Sequence, residues 1–217
     1  MFAPLWDDRG VVRGIILAAG ASTRMGRPKA GLSITDRADT FLSRLIRSFL
    51  AAGVPDIVVV SGAAPDEVRR AGIPFTHRVR FVHNAHWQRG QLTSLVTGLD
   101  DPGSSYLEAI LVTLVDVPLV SPDTVHTLIY EWRRTRRPVV RPARGDEHGH
   151  PVIFDRAVFD ELRAADSAAG AKAVVRARAP EILNVPIDDP GAYFDVDTAD
   201  DYDRLRTITA PDVGWNA

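Results

Sequence analysis

The sequence predicts an α/β protein in which a mainly parallel, doubly wound sheet lies between two layers of helices. Short apolar runs of strand length alternate along the chain with segments whose apolar residues recur at helical spacing. This alternation is typical of βαβ units, in which a helix connects two parallel strands and covers one face of the sheet. The continuous apolar run 109–116, which Asp116 and Pro118 bring to an end, is the strongest strand signal. In such sheets ligands bind at the carboxyl ends of the strands.

The first half of the chain contains three predicted strands and three predicted helices. The first strand is a short apolar run closed by Gly20, and the first helix follows Asp39 and Thr40 and ends at Gly53. A polar loop at 84–91 separates the third strand from the third helix. In chain order the elements are strand Val11–Ala18, a helix at about 41–52, strand Asp56–Ser61, helix Pro65–Ala71, strand Arg80–His83 and a helix at about 92–99.

The second half continues the same Rossmann-like pattern. Ser121 and Pro122 suit the N-cap and first position of a helix, and Thr198 caps the last helix with Asp201 in its first turn. We expect a single domain over 1–217, with its core at about 11–207 and a frayed tail at 208–217. The elements are strand 109–116, a helix at about 122–135, strands 138–142 and 152–154 around a polar loop at 143–149, a helix at 156–165, a helix near 171, strand Ile182–Pro186 and a helix at 198–207.

Composition excludes several classes of protein. The 217 residues are 45% hydrophobic, which is enough to form a core without disulfides. A net charge of -2 argues against a nucleic-acid partner, and the absence of Cys excludes thiolate metal sites and cysteine nucleophiles. No apolar run approaches the ~18 residues of a membrane span. Residues 1–10 place Asp7, Asp8 and Arg9 before any apolar stretch, unlike a signal peptide, so a cytoplasmic protein without membrane contact is expected.

The loop after the first strand has the composition of a polyphosphate cradle. Residues 17–29 are LAAGASTRMGRPK, in which small residues let the backbone approach a ligand and leave amides free for anionic oxygens. Arg24, Arg27 and Lys29 add positive charge within six positions. Lysine occurs at only one other position, Lys172, among 26 basic residues, so the lysine in this loop indicates a site for a compact point charge.

Two common phosphate-binding patterns do not fit this loop. A Walker A loop needs G-x-x-x-x-G-K-[ST], whereas Gly20 and Gly26 are one residue too far apart and Ala30 follows the lysine. The dinucleotide pattern G-x-G-x-x-G fails because position 22 is Ser. From the loop alone, a tight strand-to-helix connection with solvated arginines therefore stays open as an alternative.

The motif L-A-A-G-x-S-x-R-M-G-x-x-K at 17–29 resembles the signature of the nucleotidyltransferases that make activated sugars and cofactors. Four later segments favour the MobA-like group, and within it the molybdenum cofactor cytidylyltransferases. The resemblance extends from about residue 14 to residue 206, and the ordered set is far more specific than any later motif alone. These segments are N-x-x-W-x-x-G-Q-x-x-S-L at 84–95, V-D-V-P at 115–118, G-H-P-V at 149–152 and D-V-D-T-x-x-D at 195–201.

The resemblance implies a three-layer domain of the nucleotidyltransferase type that uses Mg²⁺ to transfer a nucleotidyl group from an NTP to a phosphorylated acceptor, releasing pyrophosphate. CTP is the expected donor and molybdopterin the expected acceptor, with a sugar phosphate or another phosphorylated cofactor precursor as alternatives. A molybdoenzyme or chaperone would then receive the product.

The resemblance also assigns roles to individual residues. Arg24, Lys29 and Asp116 are the expected catalytic residues, and Asp116 and Asp197 the expected metal ligands. Acceptor contacts are expected at Gly149, His150 and Pro151. The expected nucleotide-binding residues are Leu17, Ala18, Ala19, Gly20, Ser22, Arg24, Lys29, Ser61, Gly62, Asn84, Gln91 and Ser94.

The carboxylates also have a chemical argument of their own. A dry, unpaired Asp116 at the end of an apolar strand would be costly, and Mg²⁺ with phosphate oxygens and water would satisfy it; a turn Asp is the alternative. Asp195 and Asp197 alternate along an extended segment, so only one of them should face the site. The family pattern favours Asp197, and Asp195 and Asp201 are expected to cap the last helix.

Polar residues at other predicted strand ends suit contacts with a base or ribose. Asn84, Gln91 and Ser94 surround the loop after the third strand, where their side chains offer hydrogen-bond donors and acceptors. Ser61 and Gly62 end the second strand, where the backbone can approach a base.

Two other function classes stay open at this stage. A serine hydrolase would use Ser22, Asp116 and His150 in that chain order, yet its G-x-S-x-G elbow needs Gly at position 24, where Arg stands. A non-catalytic nucleotide-binding module would be expected to lack the two metal-binding carboxylates. The histidine pairs at 83/86 and 148/150 have metal-like spacing but no third ligand nearby in sequence, so zinc is not expected.

The residue before the loop glycine is expected to select the base. Members that resemble this chain carry Ala-Ala-Gly, whereas the guanylyl-transferring relatives carry Ala-Gly-Gly. This chain has Ala18, Ala19 and Gly20. A methyl group at position 19 in a close-packed pocket should favour CTP over GTP, with ATP as the less favoured second choice.

Overall fold

The computed structural model of the chain describes residues 11–35, 39–102 and 107–209. The sequence expectation for residues 1–10, and residues 210–217 of the predicted tail, lie outside these ranges. Residue Ile208 of that tail belongs instead to the last helix. No helix within the described ranges is long and apolar enough to cross a membrane.

Eight strands form one sheet in the described part of the chain. They are β1 (Val11–Ala18), β2 (Asp56–Ser61), β3 (Arg80–His83), β4 (Leu107–Leu114), β5 (Val139–Arg144), β6 (Glu147–His148), β7 (Val152–Asp155) and β8 (Ile182–Pro186). The order is β3-β2-β1-β4-β7-β5, with β8 on the other edge of β5 and β6 paired to its end. The pairs β3–β2, β2–β1, β1–β4 and β5–β8 are parallel, so the mainly parallel sheet is confirmed, and β7 is antiparallel to both of its neighbours.

Seven α-helices connect these strands in the described ranges. They are α1 (Phe41–Ala51), α2 (Pro65–Ala71), α3 (Gln91–Leu99), α4 (Pro122–Thr135), α5 (Phe159–Ala164), α6 (Ala171–Ala177) and α7 (Ala199–Ile208). The predicted caps at Ser121 and Thr198 are confirmed, since both side chains accept a hydrogen bond from a backbone amide of the first turn. Thr40 and Ser43 form a reciprocal capping box at the start of α1.

Alternate residues of the central strands pack under different helices. In β1, Ile15 and Leu17 belong to the core cluster that includes α3, α5 and α6. Ile16 and Ala18 belong to the other cluster, with α1 and α4. Because successive strand residues point to opposite faces, both faces of the sheet are covered, which is the predicted three-layer arrangement.

Two segments differ from the sequence predictions near the site. The strand predicted at 109–116 occupies Leu107–Leu114 instead, because the chain turns there and the Val117 amide donates to the Leu114 carbonyl at 3.2 Å. Asp116 therefore lies in the turn after the strand. The polar loop at 143–149 contains β6, which pairs back onto the end of β5.

The helix predicted at 156–165 is also divided in two. A short 3-10 turn covers Arg156–Val158, and α5 begins at Phe159. The side chain of Asp155 accepts from the Ala157 amide at 2.9 Å, so a local cap competes with a continuous helix.

The parallel strands β1, β2, β3 and β4 end at the same edge of the sheet. Their last residues are Ala18, Ser61, His83 and Leu114. The loops that follow these residues therefore converge, and they bring together segments that are far apart in sequence.

A fully buried arginine ties β1 to its neighbours. Arg13 has no exposed surface, and its Nε donates to Asp56 Oδ2 at 3.0 Å. Its Nη1 donates to three carbonyls at and after the end of α3, at 2.7, 3.0 and 3.1 Å. Arg80 of β3 pairs with the same Asp56 and with Asp101.

Replacing Arg13 with Met should lower the free energy of unfolding by about 3 kcal/mol or more, because three carbonyls lose their donor and the half-buried Asp56 keeps only Arg80 as a charged partner. Urea titration measures this. Arg70→Met is the control, since Arg70 forms an exposed pair with Glu67 at 2.9 Å and should cost less than about 1 kcal/mol. Equal losses in the two variants would contradict the role of Arg13.

Candidate active site

A cleft of about 290 Å³ opens where the loops after β1, β2 and β4 meet the start of α3. Most of the sequence-predicted site residues line it, although they come from positions 17 to 197. Those residues are Leu17, Ala18, Ala19, Gly20, Ser22, Arg24, Lys29, Gln91, Ser94, Asp116 and Asp197. The cleft is also lined by Ala64, Val68 and Trp87, which the sequence did not assign to a ligand.

The loop after β1 folds into two short turns that direct its basic residues to one side. Ser22 has a left-handed backbone conformation (φ 51°), and its Oγ accepts from the Lys29 amide at 3.2 Å. This bond closes the loop between the two ends of the basic segment. Within the described part of the chain, the amides of Gly20 and Ala21 have no carbonyl acceptor, and Gly20 lines the cleft, where its amide could bind an anionic ligand.

The ammonium of Lys29 lies between the two carboxylates that the sequence assigned to a metal. Its Nζ is 3.0 Å from Asp116 Oδ2 and 2.6 Å from Asp197 Oδ1. Lys29 is only 8% exposed, whereas the Arg24 side chain is 66% exposed and pairs with Asp197 Oδ2 at 3.1 Å. The buried lysine is thus the central charge of the site.

A backbone hydrogen bond holds the two carboxylates side by side. The Val196 amide donates to the Asp116 carbonyl at 2.8 Å, so the segment before α7 runs along the turn after β4. Asp201 fixes the backbone at the start of α7, since its Oδ2 accepts hydrogen bonds from the amides of Asp197 and Thr198 at 3.2 and 2.9 Å. The predicted capping role of Asp201 is confirmed.

Asp195 does not cap α7, which corrects the sequence expectation. The cap is formed by Thr198 and Asp201, and Asp195 makes no hydrogen bond within the described ranges. Partial desolvation raises the pKa of Asp195, and the charges of Asp116 and Asp197 raise it further. Asp197 lines the cleft, whereas the exposed Asp195 does not.

The pKa of Asp197 is shifted in the opposite direction. The hydrogen bond from Lys29 lowers this pKa most, and the charges of Lys29 and Arg24 lower it further. Asp197 is therefore a carboxylate over the whole neutral range.

The donor set fits a hard divalent cation. Asp116 Oδ1 is buried and has no hydrogen-bond partner among the described residues, which is costly for a carboxylate oxygen and leaves it free to bind a cation. No group of three or more His, Asp or Glu side chains within the described ranges is placed to hold a metal. Two carboxylates with ligand oxygens and water suit Mg²⁺, which seldom uses an all-protein cage.

Asn84 supports the cleft from behind instead of lining it. It is 3% exposed, and its Nδ2 donates to Thr93 Oγ1 at 2.8 Å and to Ser94 Oγ at 2.9 Å. Its Oδ1 accepts from the His86 amide at 2.8 Å. With both polar atoms engaged, Asn84 fixes the loop before α3 and orients the Ser94 hydroxyl, which does line the cleft.

Ser61 and Gly62 are likewise outside the lining. The Ser61 hydroxyl donates to the Val82 carbonyl at 3.1 Å, which ties β2 to β3. A Cβ at Gly62 would lie 2.6 Å from both the Ala19 carbonyl oxygen and the Trp87 Cβ. Glycine at position 62 therefore allows the loops after β1 and β3 to approach each other.

The turn at Gly149, His150 and Pro151 lies beside the cleft and does not line it. The His150 amide donates to the Ala192 carbonyl at 2.8 Å, and its ring Nδ1 is 3.4 Å from the Val112 carbonyl oxygen. Burial lowers the pKa of His150, so the ring is neutral at neutral pH. A Cβ at Gly149 would overlap the Ala192 carbonyl.

The geometry does not assemble a serine-hydrolase triad. The Ser22 hydroxyl is engaged with the Lys29 amide, and the His150 ring faces a backbone carbonyl of β4. Asp116 is engaged with the ammonium of Lys29. None of these contacts joins a serine to a histidine, which a triad requires.

Comparison with known proteins gives one family and several relatives. The model of the MobA-like NTP transferase domain matches residues 14–182. A nicotine blue oxidoreductase from Paenarthrobacter nicotinovorans is 31% identical over 207 residues, which cover 91% of this chain and 98% of that protein. A probable molybdenum cofactor guanylyltransferase from Mycolicibacterium paratuberculosis is 29% identical over 142 residues, which cover 65% of this chain and 68% of that protein.

Solved structures share the fold over nearly the whole chain. The crystal structure of Rv0371c from Mycobacterium tuberculosis H37Rv has a TM-score of 0.78 at 30% identity, covering 91% of this chain and 98% of that chain. A manganese complex of Rv0371C has a TM-score of 0.72 at 28% identity, with the same coverage.

The Lys29–Asp197 pair should make stability depend on pH in the acid range. Because the pKa of folded Asp197 is depressed, the pair stabilises the fold above the unfolded value of about 3.9. This stabilisation is lost as the pH falls through the folded pKa. In Lys29→Met the pKa of Asp197 should rise, as measured by carbon-detected NMR titration of the carboxyl group. An unchanged pKa would contradict the assigned cause.

Proposed function

Because the chain belongs to the MobA-like NTP transferase family and is a nucleotidyltransferase of that type, we propose that it transfers CMP from CTP to molybdopterin, with release of pyrophosphate. The observation that carries this proposal is the cluster of Lys29, Arg24, Asp116 and Asp197 beside the glycine-containing loop. Two cations and two carboxylates at one point provide partners for a triphosphate and for its metal ion.

The loop after β1 is proposed to hold the triphosphate. The Gly20 amide has no carbonyl acceptor in the described part of the chain, and Gly20, Arg24 and Lys29 all line the cleft. Nucleotidyl transfer requires little covalent chemistry from the protein, because in-line positioning and charge neutralisation supply most of the rate. We therefore assign Arg24 and Lys29 to neutralising the phosphates in the transition state.

Asp116 and Asp197 are proposed to hold Mg²⁺. Their oxygens are hard donors, and no residue that the structure describes forms a hydrogen bond to the buried Asp116 Oδ1. When bound, a divalent ion would neutralise phosphate charge and orient the triphosphate. The manganese complex of Rv0371C supports divalent-metal binding in a relative of this fold.

The acceptor is proposed to react without a general base. A phosphate monoester has a second pKa near ~6 and is mostly dianionic at neutral pH, so its oxygen is already a nucleophile. The turn formed by Gly149, His150 and Pro151 is proposed to contact the acceptor from beside the cleft. Since burial keeps His150 neutral, its role would be contact and not proton transfer.

The relatives include guanylyltransferases, so the choice of base depends on local geometry. Ala19 lines the cleft and is 7% exposed, and we assign its methyl group to the part of the cleft that takes the base. Such a methyl group acts against a purine more than against a pyrimidine. One methyl group changes the discrimination between two substrates by only about 1–3 kcal/mol, or roughly 10–200-fold. CTP should therefore react faster than GTP, and GTP should still react.

One relative is named as an oxidoreductase, and the site of this chain favours a different chemistry. An enzyme that binds a dinucleotide in the loop after the first strand is expected to carry G-x-G-x-x-G, and Ser22 interrupts that pattern here. Transfer of a hydride from a reduced nicotinamide cofactor to an added quinone-type dye, catalysed by the purified protein without pyrophosphate release from any NTP, would favour the oxidoreductase.

Wild-type protein with Mg²⁺ and a molybdopterin-bearing acceptor should release pyrophosphate faster from CTP than from GTP or ATP. Ala19→Gly should shift the CTP/GTP ratio toward GTP by roughly 10-fold or more, because the methyl group is removed from the base end. A coupled pyrophosphate assay with each of the four NTPs measures both ratios. If the wild type already prefers GTP, the cytidylyl assignment fails.

Asp116→Asn should reduce kcat/KM by ~10²-fold or more, equivalent to about 3 kcal/mol, because a neutral amide replaces a proposed metal ligand. Asp123→Asn, in the exposed first turn of α4, is the matched control and should retain activity. Melting temperatures of both variants check the fold. A folded Asp116→Asn protein with wild-type turnover would refute the metal assignment.

A further inference from the structure

Lys29 occupies the position between two carboxylates where a metal ion shared by them would be expected. Its Nζ bridges Asp116 and Asp197 at 3.0 and 2.6 Å, and the residue is 8% exposed. The ammonium is therefore a resident cation, held in place by burial as well as by charge. This rests on the proposed function, in which the same two carboxylates bind the metal.

The local charges are already balanced before any ligand binds. Asp116 and Asp197 carry two negative charges, and Lys29 and Arg24 carry two positive charges in direct contact with them. Asp195 is a further carboxylate nearby, but within the described ranges it forms no ion pair with Lys29 or Arg24, so it is not one of the four groups in direct contact. A free divalent ion would thus enter a neutral cluster and would be repelled by both cations.

The burial of Lys29 further opposes the binding of a free divalent ion. If a metal ion displaced the ammonium from both carboxylates, the lysine would remain desolvated and unpaired, which is costly. A metal–nucleotide complex removes this cost, because a triphosphate carries about four negative charges at neutral pH and offers new partners to Lys29 and Arg24. Lys29 and Arg24 would then exchange the carboxylates for phosphate oxygens as the complex binds.

We propose that Lys29 excludes free divalent metal from the Asp116–Asp197 pair, so that the site takes its metal only together with a nucleotide. Lys29 thus has two partners in turn: the carboxylates in the ligand-free protein and the phosphates in the complex. The ligand that the site recognises is therefore the metal–NTP complex. Neither the free ion nor the free nucleotide alone should bind as well as this complex.

Mn²⁺ binding without turnover tests this directly. Free Mn²⁺ is followed by electron paramagnetic resonance during titration of wild type, Lys29→Met and Lys29→Gln in the absence of nucleotide. Both variants should bind Mn²⁺ at least ~10-fold more tightly than wild type, because the competing ammonium is gone. Saturating α,β-methylene-CTP, which does not release pyrophosphate, should tighten Mn²⁺ binding more in wild type than in either variant.

Arg27→Met is the matched control for a general change of charge. Arg27 belongs to the same loop and is exposed, and its guanidinium stacks over the Tyr202 ring at 5.5 Å. It should change the affinity for free Mn²⁺ less than ~3-fold, since an exposed charge is screened. An increase in affinity as large as that of Lys29→Met would overturn the specific role of Lys29.

Thermal unfolding gives a second measurement of metal binding, which can be used for variants that lose stability. Mn²⁺ alone should raise the melting temperature of Lys29→Met or Lys29→Gln more than that of wild type, since metal replaces the missing cation. If neither variant folds, the Mn²⁺ titrations of wild type with and without α,β-methylene-CTP test the proposal. Wild-type affinity for Mn²⁺ that is equal with and without the nucleotide analogue would then overturn the proposal.

Failure of this inference differs from failure of the proposed function. If no NTP releases pyrophosphate, the transferase assignment fails, whereas the metal titrations without nucleotide still report on Lys29. If CTP is turned over and wild type binds free Mn²⁺ as tightly as Lys29→Met, the transferase assignment stands and the role of Lys29 as a resident cation is wrong.

Discussion

The buried ammonium of Lys29 holds together parts of the chain that are 87 and 168 residues apart. Without it, Asp116 and Asp197 would be two neighbouring carboxylates at the end of an apolar sheet, where burial and mutual repulsion both oppose ionisation. The lysine resolves this conflict in the ligand-free protein. If this ammonium is exchanged for a metal ion, as we propose, the carboxylates that Lys29 now pairs become the ligands of that ion.

The fold supplies the precision that this exchange needs. Parallel pairing brings the ends of β1 and β4 to one edge of the sheet. The Val115 amide donates to the Leu17 carbonyl at 3.0 Å, which fixes the start of the turn after β4 relative to the end of β1. The bond from Val196 to the Asp116 carbonyl then places the segment before α7. Rigid elements thus position all three charged groups, although each lies on a loop.

Part of the fold and of the site could be predicted from local patterns in the sequence. The bounds of β1, β2 and α2 followed from apolar runs and from Gly and Pro residues beside them, and Ser121 and Thr198 were found as caps from their chemistry. The direction of β7 was not predictable, because a strand of four residues after a polar loop can pair either way. The burial of Asn84 was also missed, because its hydrogen bonds to Thr93, Ser94 and the His86 amide depend on how this loop folds onto the start of α3, which no periodicity along the sequence reports.

A crystal structure of the protein with Mn²⁺ and α,β-methylene-CTP tests the exchange of partners most directly. The anomalous signal of the metal locates it without reference to the protein density. The account predicts that Mn²⁺ contacts Asp116 and Asp197 while the Lys29 ammonium has left both carboxylates for phosphate oxygens. A nucleotide and metal bound in the cleft with Lys29 still bridging Asp116 and Asp197 would contradict it.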